Sequence, residues 1–590
     1  MHSTFVFLLL STAVLVTTAD YSLTILHTND VHARFVEANR FGGSCSSSDA
    51  QSGKCFGGVA RRATMINQIK SQRSNVLLLD GGDQFQGTLW FYVYKGSAAS
   101  YFMNKLGYSA MALGNHEFDN GVPGLIPFLE NVTFPVLCAN VDGSKVPQFS
   151  SKVNKSTIFN VNGQNIGVIG YITSETPDVS NPGTDLVFSD EVKAVQAEAT
   201  RLTNMGIKII IAVGHAGFTK DKEIADKVVG VDIVVGGHTN TFLYTGTPPS
   251  NEIPLDSYPT VINPSYDTNR KVLVVQDFYF GKYLGDLQTV FDDDGEVKSF
   301  GGNPILLNSS VAMDPTIKGY VDEFSKAIIA QGKQEIGKTY VFLDGQRTTI
   351  RLRESNLGNL FTDAMVHQYL RNPSSTAWND VGIALCNGGG IRNPIDVTRP
   401  PGIVTMEDIL TVLPFRNTVD VIELQGIFLR QALELSVRDY NPVDAHGRFL
   451  QMSGVRVVYD LSKPPLSRVT KAEVRCTNCT VPVFVPLDDK KFYKMVISSF
   501  MANGGDGYTM FRDNRTSLVL TGFLDSDVLV TYFNKLSPIS IGIEGRIRFM
   551  NETGTSNPPT NQPCINSASV AYLMSNMIIL LISIISLLIL

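Results

Sequence analysis

Gly114-Asn115-His116-Glu117-Phe118-Asp119-Asn120-Gly121 packs an amide, an imidazole and two carboxylates between glycines, directly after the apolar run Tyr108–Leu113. Amide, imidazole and carboxylate are the partners that a hard or borderline cation and a phosphoryl group require, and flanking glycines let backbone approach a ligand closely. The same chemistry returns four more times: Asp30 with His32, Asp80 with Asp83, His215, and His238. One polar turn of this kind closes a loop more often than it builds a site. Five of them, each following an apolar run, point to a shared metal centre. The mixture of carboxylate, amide and imidazole suits Zn, Mn, Co or Fe better than an all-oxygen calcium site. It offers enough donors for two ions if one carboxylate bridges. Such a pair, about 3.5–4 Å apart, acidifies a water and clamps a phosphoryl oxygen for in-line ester hydrolysis.

The elements that must position these residues follow from periodicity. From Tyr21 to about Ile305, β-type runs (Leu23–Leu26, Val76–Leu79, Ala110–Leu113, Ile166–Ile169, Ile209–Val213, Val231–Val235) alternate with helical periods at Val59–Ile69, Ala98–Leu106 and Glu191–Met205. That pattern predicts an α/β domain with a layered sheet, in which loops leaving strand ends gather distant residues into one site. Asp314-Pro315 opens a connecting helix to Gln331. A second α/β domain follows, with apolar runs at Val381–Leu385, Val419–Leu424, Val455–Tyr459 and Phe492–Ile497. The expected division is 1–19 leader, 20–310 two-metal domain, 311–337 connector, 338–550 second domain, 551–570 stalk and 571–590 anchor signal.

At 590 residues with 18% charged and 43% hydrophobic residues, the chain has the composition of a multidomain globular protein. A net charge of -6 and the lack of a basic run argue against nucleic acid as the main partner. Met1–Ala19 reads as a secretory signal. The apolar end Met577–Leu590, preceded by Asn566, Ser567, Ala568 and Ser569, has the layout of a lipid-anchor (GPI) signal, with a single-pass anchor as the alternative. Sequons at Asn131, Asn154, Asn308, Asn478, Asn514 and Asn551 agree with export. Among seven cysteines, Cys45 with Cys55 and Cys476 with Cys479 are expected as local bridges. Cys138 and Cys386 lie in apolar runs and are expected as buried thiols, and Cys564 lies near the anchor region.

Leu26 to His32, Gly81 to Gly87, Gly114 to Asp119, Gly214-His215 and Gly236 to Asn240 resemble the metallophosphoesterase motifs of the 5′-nucleotidase family. Asn387 to Arg392 and Asn503 to Gly507 resemble the signatures of its second domain, and the similarity, strongest to the animal ecto-enzymes, runs from about Tyr21 to Phe549. The resemblance implies that Asp30, His32, Asp83, Asn115, His215 and His238 hold two divalent ions, usually zinc, with Asp83 bridging and Asn240 close by. It implies that His116 and Asp119 are the catalytic pair. It also implies that Arg351, Asn387 and Arg392 surround phosphate and ribose, that Asp506 meets the ribose hydroxyls, and that Phe415 and Phe500 sandwich the base. Animal members carry two more disulfides near this arginine segment, whereas here Ile350, Ser355 and Thr362 stand where half-cystines are expected.

The expected activity is hydrolysis of nucleoside 5′-monophosphates, AMP first, by a metal-activated hydroxide at the outer cell surface, and the resemblance suggests a homodimer through the second domain. The alternatives are an apyrase-like hydrolase of nucleoside di- and triphosphates, or an inactive surface binding protein.

Overall fold

Period-two alternation organises the first half of the chain. Leu23, Ile25, Leu77, Leu79, Ala110 and Ala112 point into one buried layer, while Leu26, Leu78, Met111 and Leu113 point into another. Strands buried on both faces read as continuous apolar runs, which is why these segments look unalternated in sequence. The computed structural model describes residues 20–550 apart from 41, 44, 46, 371–377, 397–401 and 522. The leader, the stalk and anchor region, Asn551 and Cys564 lie outside the described residues.

Tyr21–Thr28, Val76–Asp80, Ala110–Ala112 and Val136–Leu137 run parallel, neighbour to neighbour, and Tyr283–Phe291 closes antiparallel on Tyr21–Thr28. A second sheet centres on Ile209–His215, parallel to Gln164–Ile172 on one side and Ile233–Val235 on the other. The two sheets pack face to face through a common core. A Cβ at Gly170 would stand 2.3 Å from the Leu137 carbonyl carbon, so glycine is what permits this approach. Helices Val59–Gln72 and Gly96–Leu106 cover the outer face of the first sheet, and Glu191–Asn204 and Phe218–Lys227 cover the second. Because the central strands of each sheet are parallel, their C-terminal ends share one edge, and the polar turns singled out above all leave from it.

The connector is helix Pro315–Gly332. The Asp314 side chain accepts from the amides of Thr316 and Ile317, both at 2.9 Å, and so satisfies two free donors of the first turn. Ile317, Val321 and Ile328 pack on the first domain, and Leu410 of the second joins the same cluster. The second domain has a five-stranded sheet with Ile383–Asn387 and Phe492–Ser498 at its centre. Ile383 and Leu385 face one core and Ala384 and Cys386 the other.

Cys45 and Cys55 are bridged, with Cα atoms 5.9 Å apart. The expected Cys476–Cys479 bridge is corrected: both are free thiols. Cys479 Sγ donates to the Cys476 carbonyl at 3.2 Å and Cys476 Sγ to Asn478 Oδ1 at 3.3 Å, so the turn satisfies each sulfur separately. Cys138 and Cys386 are buried thiols. Asn131, Asn154, Asn478 and Asn514 are exposed, and Asn308 is half-buried. Ile350, Ser355 and Thr362 are each buried. Ser355 caps helix Asn356–Gln368 by accepting from Gly358, and Thr362 Oγ1 donates to the Gly358 carbonyl at 2.8 Å. Packing and capping thus hold the arginine segment without further disulfides.

Candidate metal and phosphoester site

The tautomers of two histidines follow from their neighbours. A backbone carbonyl only accepts, so His215 Nδ1 donates to the Gly81 carbonyl at 2.7 Å and His32 Nδ1 to the Phe85 carbonyl at 2.9 Å. In each neutral ring the lone pair is therefore on Nε2, facing inward. His215 Nε2 lies 2.9 Å from Asp83 Oδ2 without an aligned hydrogen bond. His32 Nε2 lies 3.8 Å from Asp30 Oδ1 and 3.7 Å from Asp83 Oδ2. Two overlapping triads result, Asp30–Asp83–His215 and His32–Asp83–His116, each with its donor atoms within 4.8 Å of one another. Asp83 is common to both, the arrangement a bridging carboxylate needs. Burial disfavours charge on His215, whereas the Asp83 and Asp30 carboxylates favour it and push its pKa up to about 10; a metal cation among these donors would take the place of that proton and leave the ring neutral. The residues fit a pair of divalent ions. His238 adds a ring beside them: its amide donates to Asp30 Oδ2 at 2.9 Å and its Nδ1 lies 2.9 Å from Asn115 Oδ1.

The backbone bears a cost for this convergence. Asp30, His32, Asp83, His238 and Asn240 all have φ between 50° and 76°, a region that costs a non-glycine residue about 1–3 kcal/mol and clusters at functional sites. A Cβ at Gly114 would stand 2.2 Å from Asp83 Oδ1, which explains the glycine before Asn115. Asn240 is half-buried with its Oδ1 unpartnered, close in sequence to His238 but outside the cavity lining.

His116 donates through Nδ1 to Asp119 Oδ2 at 2.7 Å, which leaves Nε2 toward Asp83 Oδ2 at 4.0 Å. Asp119 is itself fixed by Gln86 Nε2 at 2.9 Å and Ser180 Oγ at 2.8 Å. Sequence reasoning missed Gln86, Ser180 and above all Glu117. The fully buried Glu117 carboxylate accepts four backbone amides: Asp83 at 2.9 Å and Gly114 at 2.6 Å on one oxygen, Gln84 at 2.9 Å and Phe85 at 3.1 Å on the other. It is the clamp that sets Asp83. Its signal, a carboxylate inside a glycine-bounded turn, was visible, but the partner loop was not.

The second domain closes the site. Asp30, Asp83, Asn115, His116, Asp119 and His238 share a cavity of about 310 Å³ with Arg351, Asn387, Arg392, Phe415, Phe500 and Asp506, while His32 and His215 lie behind it. Arg392 Nη2 donates toward His32 Nε2 at 3.4 Å, and the Phe415 ring stacks on His116 at 5.5 Å and 24°. Asn387 Nδ2 donates to Asp506 Oδ2 at 2.5 Å. Arg347, unnoticed in the sequence although four residues before Arg351, reaches the His238 carbonyl at 3.5 Å. Arg351 meets the Ala445 carbonyl at 3.3 Å. These guanidinium groups thus meet carbonyls and a ring nitrogen rather than carboxylates. Burial, and then Arg347 and Arg392 beside it, hold the Arg351 pKa well below its usual value, a repulsion that a bound anion relieves.

Known proteins resemble this chain over both domains. The calcineurin-like phosphoesterase model matches residues 23–242 and the 5′-nucleotidase C-terminal domain model matches residues 335–513. A snake venom 5′-nucleotidase of Naja atra is 49% identical over 90% of this chain and 99% of that protein. The 5′-nucleotidase of Homo sapiens is 48% identical over 90% of this chain and 91% of that protein. The crystal structure of a 5′-nucleotidase precursor from Thermus thermophilus superposes with a TM-score of 0.82 at 38% identity, covering 90% of this chain and all of that one. Identity of that extent, spanning both domains, means that the chain belongs to the 5′-nucleotidase family and is a 5′-nucleotidase, a metal-dependent phosphoric monoester hydrolase.

Proposed function

We propose that the enzyme hydrolyses nucleoside 5′-monophosphates, AMP first, to nucleoside and phosphate. The observation that carries this reading is the single cavity in which Arg347, Arg351, Arg392, Phe415 and Phe500 of one domain face Asp30, Asp83, Asn115, His116 and His238 of the other. Asp30, Asp83, His32, His215, Asn115 and His238 hold two divalent ions, zinc by preference. When bound, the ions supply a water acidic enough to ionise near neutrality and positive charge for the phosphoryl oxygens. Arg347, Arg351 and Arg392 orient the phosphate through paired charge-assisted hydrogen bonds. Phe415 and Phe500 hold the base, and Asn387 and Asp506 the ribose. Asp119 accepts from His116 Nδ1 and so orients the ring, with Nε2 facing the charge that develops as the ester bond breaks.

The division 20–310, 311–337 and 338–550 is retained, with domain closure about the end of the connecting helix bringing nucleotide to the metals. We place the protein on the outer cell surface, held by a lipid anchor from residues beyond 550. Among the described residues no helix is long and apolar enough to cross a membrane. A homodimer through the second domain is supported by the exposed Val519, Leu520 and Phe523 at and beyond edge strand Arg515–Val519.

Phosphate release from AMP, ADP and ATP, with and without chelator, tests the reading. AMP is expected to react fastest, and chelator to abolish turnover. Faster release from ADP or ATP would make the enzyme an apyrase, and no release from any would make it a binding protein.

A further inference from the structure

The fourth apolar run, Ile166–Ile169, is the one with no metal ligand after it, yet the segment that leaves its strand, Gln164–Ile172, reaches the site twice. At one end Ser180 Oγ donates to Asp119 Oδ1 at 2.8 Å. At the other, Glu175 Oε2 lies 3.7 Å from Arg448 Nη2 across the domain boundary. Between them Thr176–Val179 forms a single helical turn, tied by Thr176 Oγ1 to the Thr173 carbonyl at 2.6 Å and by the Ser180 amide to the Thr176 carbonyl at 3.0 Å. The segment is therefore a short hydrogen-bonded turn that runs from the domain boundary to the catalytic carboxylate.

Arg448 is equally well connected in its own domain. Its guanidinium also pairs with Asp439 at 3.0 Å, and its carbonyl accepts from Tyr508 Oη at 2.5 Å. Tyr508 ends the turn that carries Asp506. The preceding residue, Gly447, lies so close that a Cβ there would stand 3.4 Å from Asp506 Oδ2. Burial raises the Asp506 pKa, and the Asn387 amide and then the Arg448 charge oppose it.

We infer that the Glu175–Arg448 pair is a positioning element that couples the ribose side of the cleft to the His116–Asp119 pair. Arg448 braces the Asp506 turn, Glu175 begins the turn that ends on Ser180, and the ion pair joins the two across the domain boundary. Occupancy of the ribose site thereby steadies Asp119, and through it the His116 ring. The inference rests on the nucleoside monophosphate reading above.

The test compares AMP with p-nitrophenyl phosphate, which presents a phosphoester but no ribose. In Glu175→Gln, kcat/KM for AMP is expected to fall about threefold to fivefold, the scale of a half-exposed ion pair, while kcat/KM for p-nitrophenyl phosphate stays at the wild-type value. Raising ionic strength should reduce AMP turnover in the wild type more than in Glu175→Gln. In a double-mutant cycle with Arg448→Met, the second substitution should add little to the first. Equal losses on both substrates would make the pair a general brace, and unchanged AMP kinetics would make it a surface contact; either result overturns the coupling. Failure of the wild type to hydrolyse AMP would instead strike the underlying reading.

Discussion

Glu117→Gln is the substitution that most directly tests how the site is assembled. It keeps the shape of a fully buried side chain but replaces one acceptor oxygen by an NH2 group. Two of the four amides of Asp83, Gln84, Phe85 and Gly114 then face a donor instead of an acceptor. An orphaned buried donor costs about 1–3 kcal/mol, so two cost about 2–6 kcal/mol. At about 2–4 °C per kcal/mol for a domain of roughly this size, Tm should fall by at least about 4 °C. Asp83 also loses its backbone register, so zinc affinity should drop about 10- to 100-fold, as when an outer-shell partner is removed. Scanning calorimetry of the metal-free protein gives the first quantity, and calorimetric titration of chelator-stripped protein with zinc gives the second. A variant with wild-type Tm and wild-type zinc affinity would refute the role assigned to Glu117.

His116→Ala should lower kcat by about 10²–10⁴-fold with metal content unchanged by elemental analysis, and Asp119→Asn should lower it less, since the ring remains. Arg347→Met should raise KM for AMP about tenfold and weaken inhibition by inorganic phosphate equally, the scale of a charge-assisted bond, while unchanged constants would remove Arg347 from the phosphate site. His27 provides a stability test. Burial lowers its pKa from 6.5 to about 3, its Nδ1 has no partner, and its Nε2 lies 2.8 Å from Tyr258 Oη. The unfolded chain binds a proton there below the ordinary pKa and the native state does not, so stability falls as pH drops from about 6.5 toward about 3, by up to about 1.4 kcal/mol per pH unit. Denaturant titrations across that range should show a shallower slope in His27→Gln.

Much was legible before the fold. Ligand types are local chemistry, so Asp30, His32, Asp83, Asn115, His215 and His238 stood out as polar residues ending apolar runs. Parallel strand order then accounts for their meeting, because parallel neighbours deliver their exit loops to one edge. The helices at Val59–Gln72 and Glu191–Asn204 and the capped connector were legible too, since periodicity and an Asp-Pro start are local signals. Cys476 and Cys479 show the limit of spacing: proximity in sequence suggested a bridge, but the turn offers each sulfur its own acceptor.

What the sequence by itself determined is therefore the inventory of chemistry: which residues could bind metal, carry a proton or grip phosphate, and on which strand ends they lie. What only the tertiary structure decided is which of them share atoms. That Asp83 belongs to both triads, that Glu117 sets it through four amides, and that Arg347 and Arg392 cross from the second domain to His238 and His32 are contacts between distant segments. Hydrogen bonds and Coulomb forces act over a few ångströms, so no spacing along the chain encodes them. They exist only once two sheets and two domains have brought the loops together.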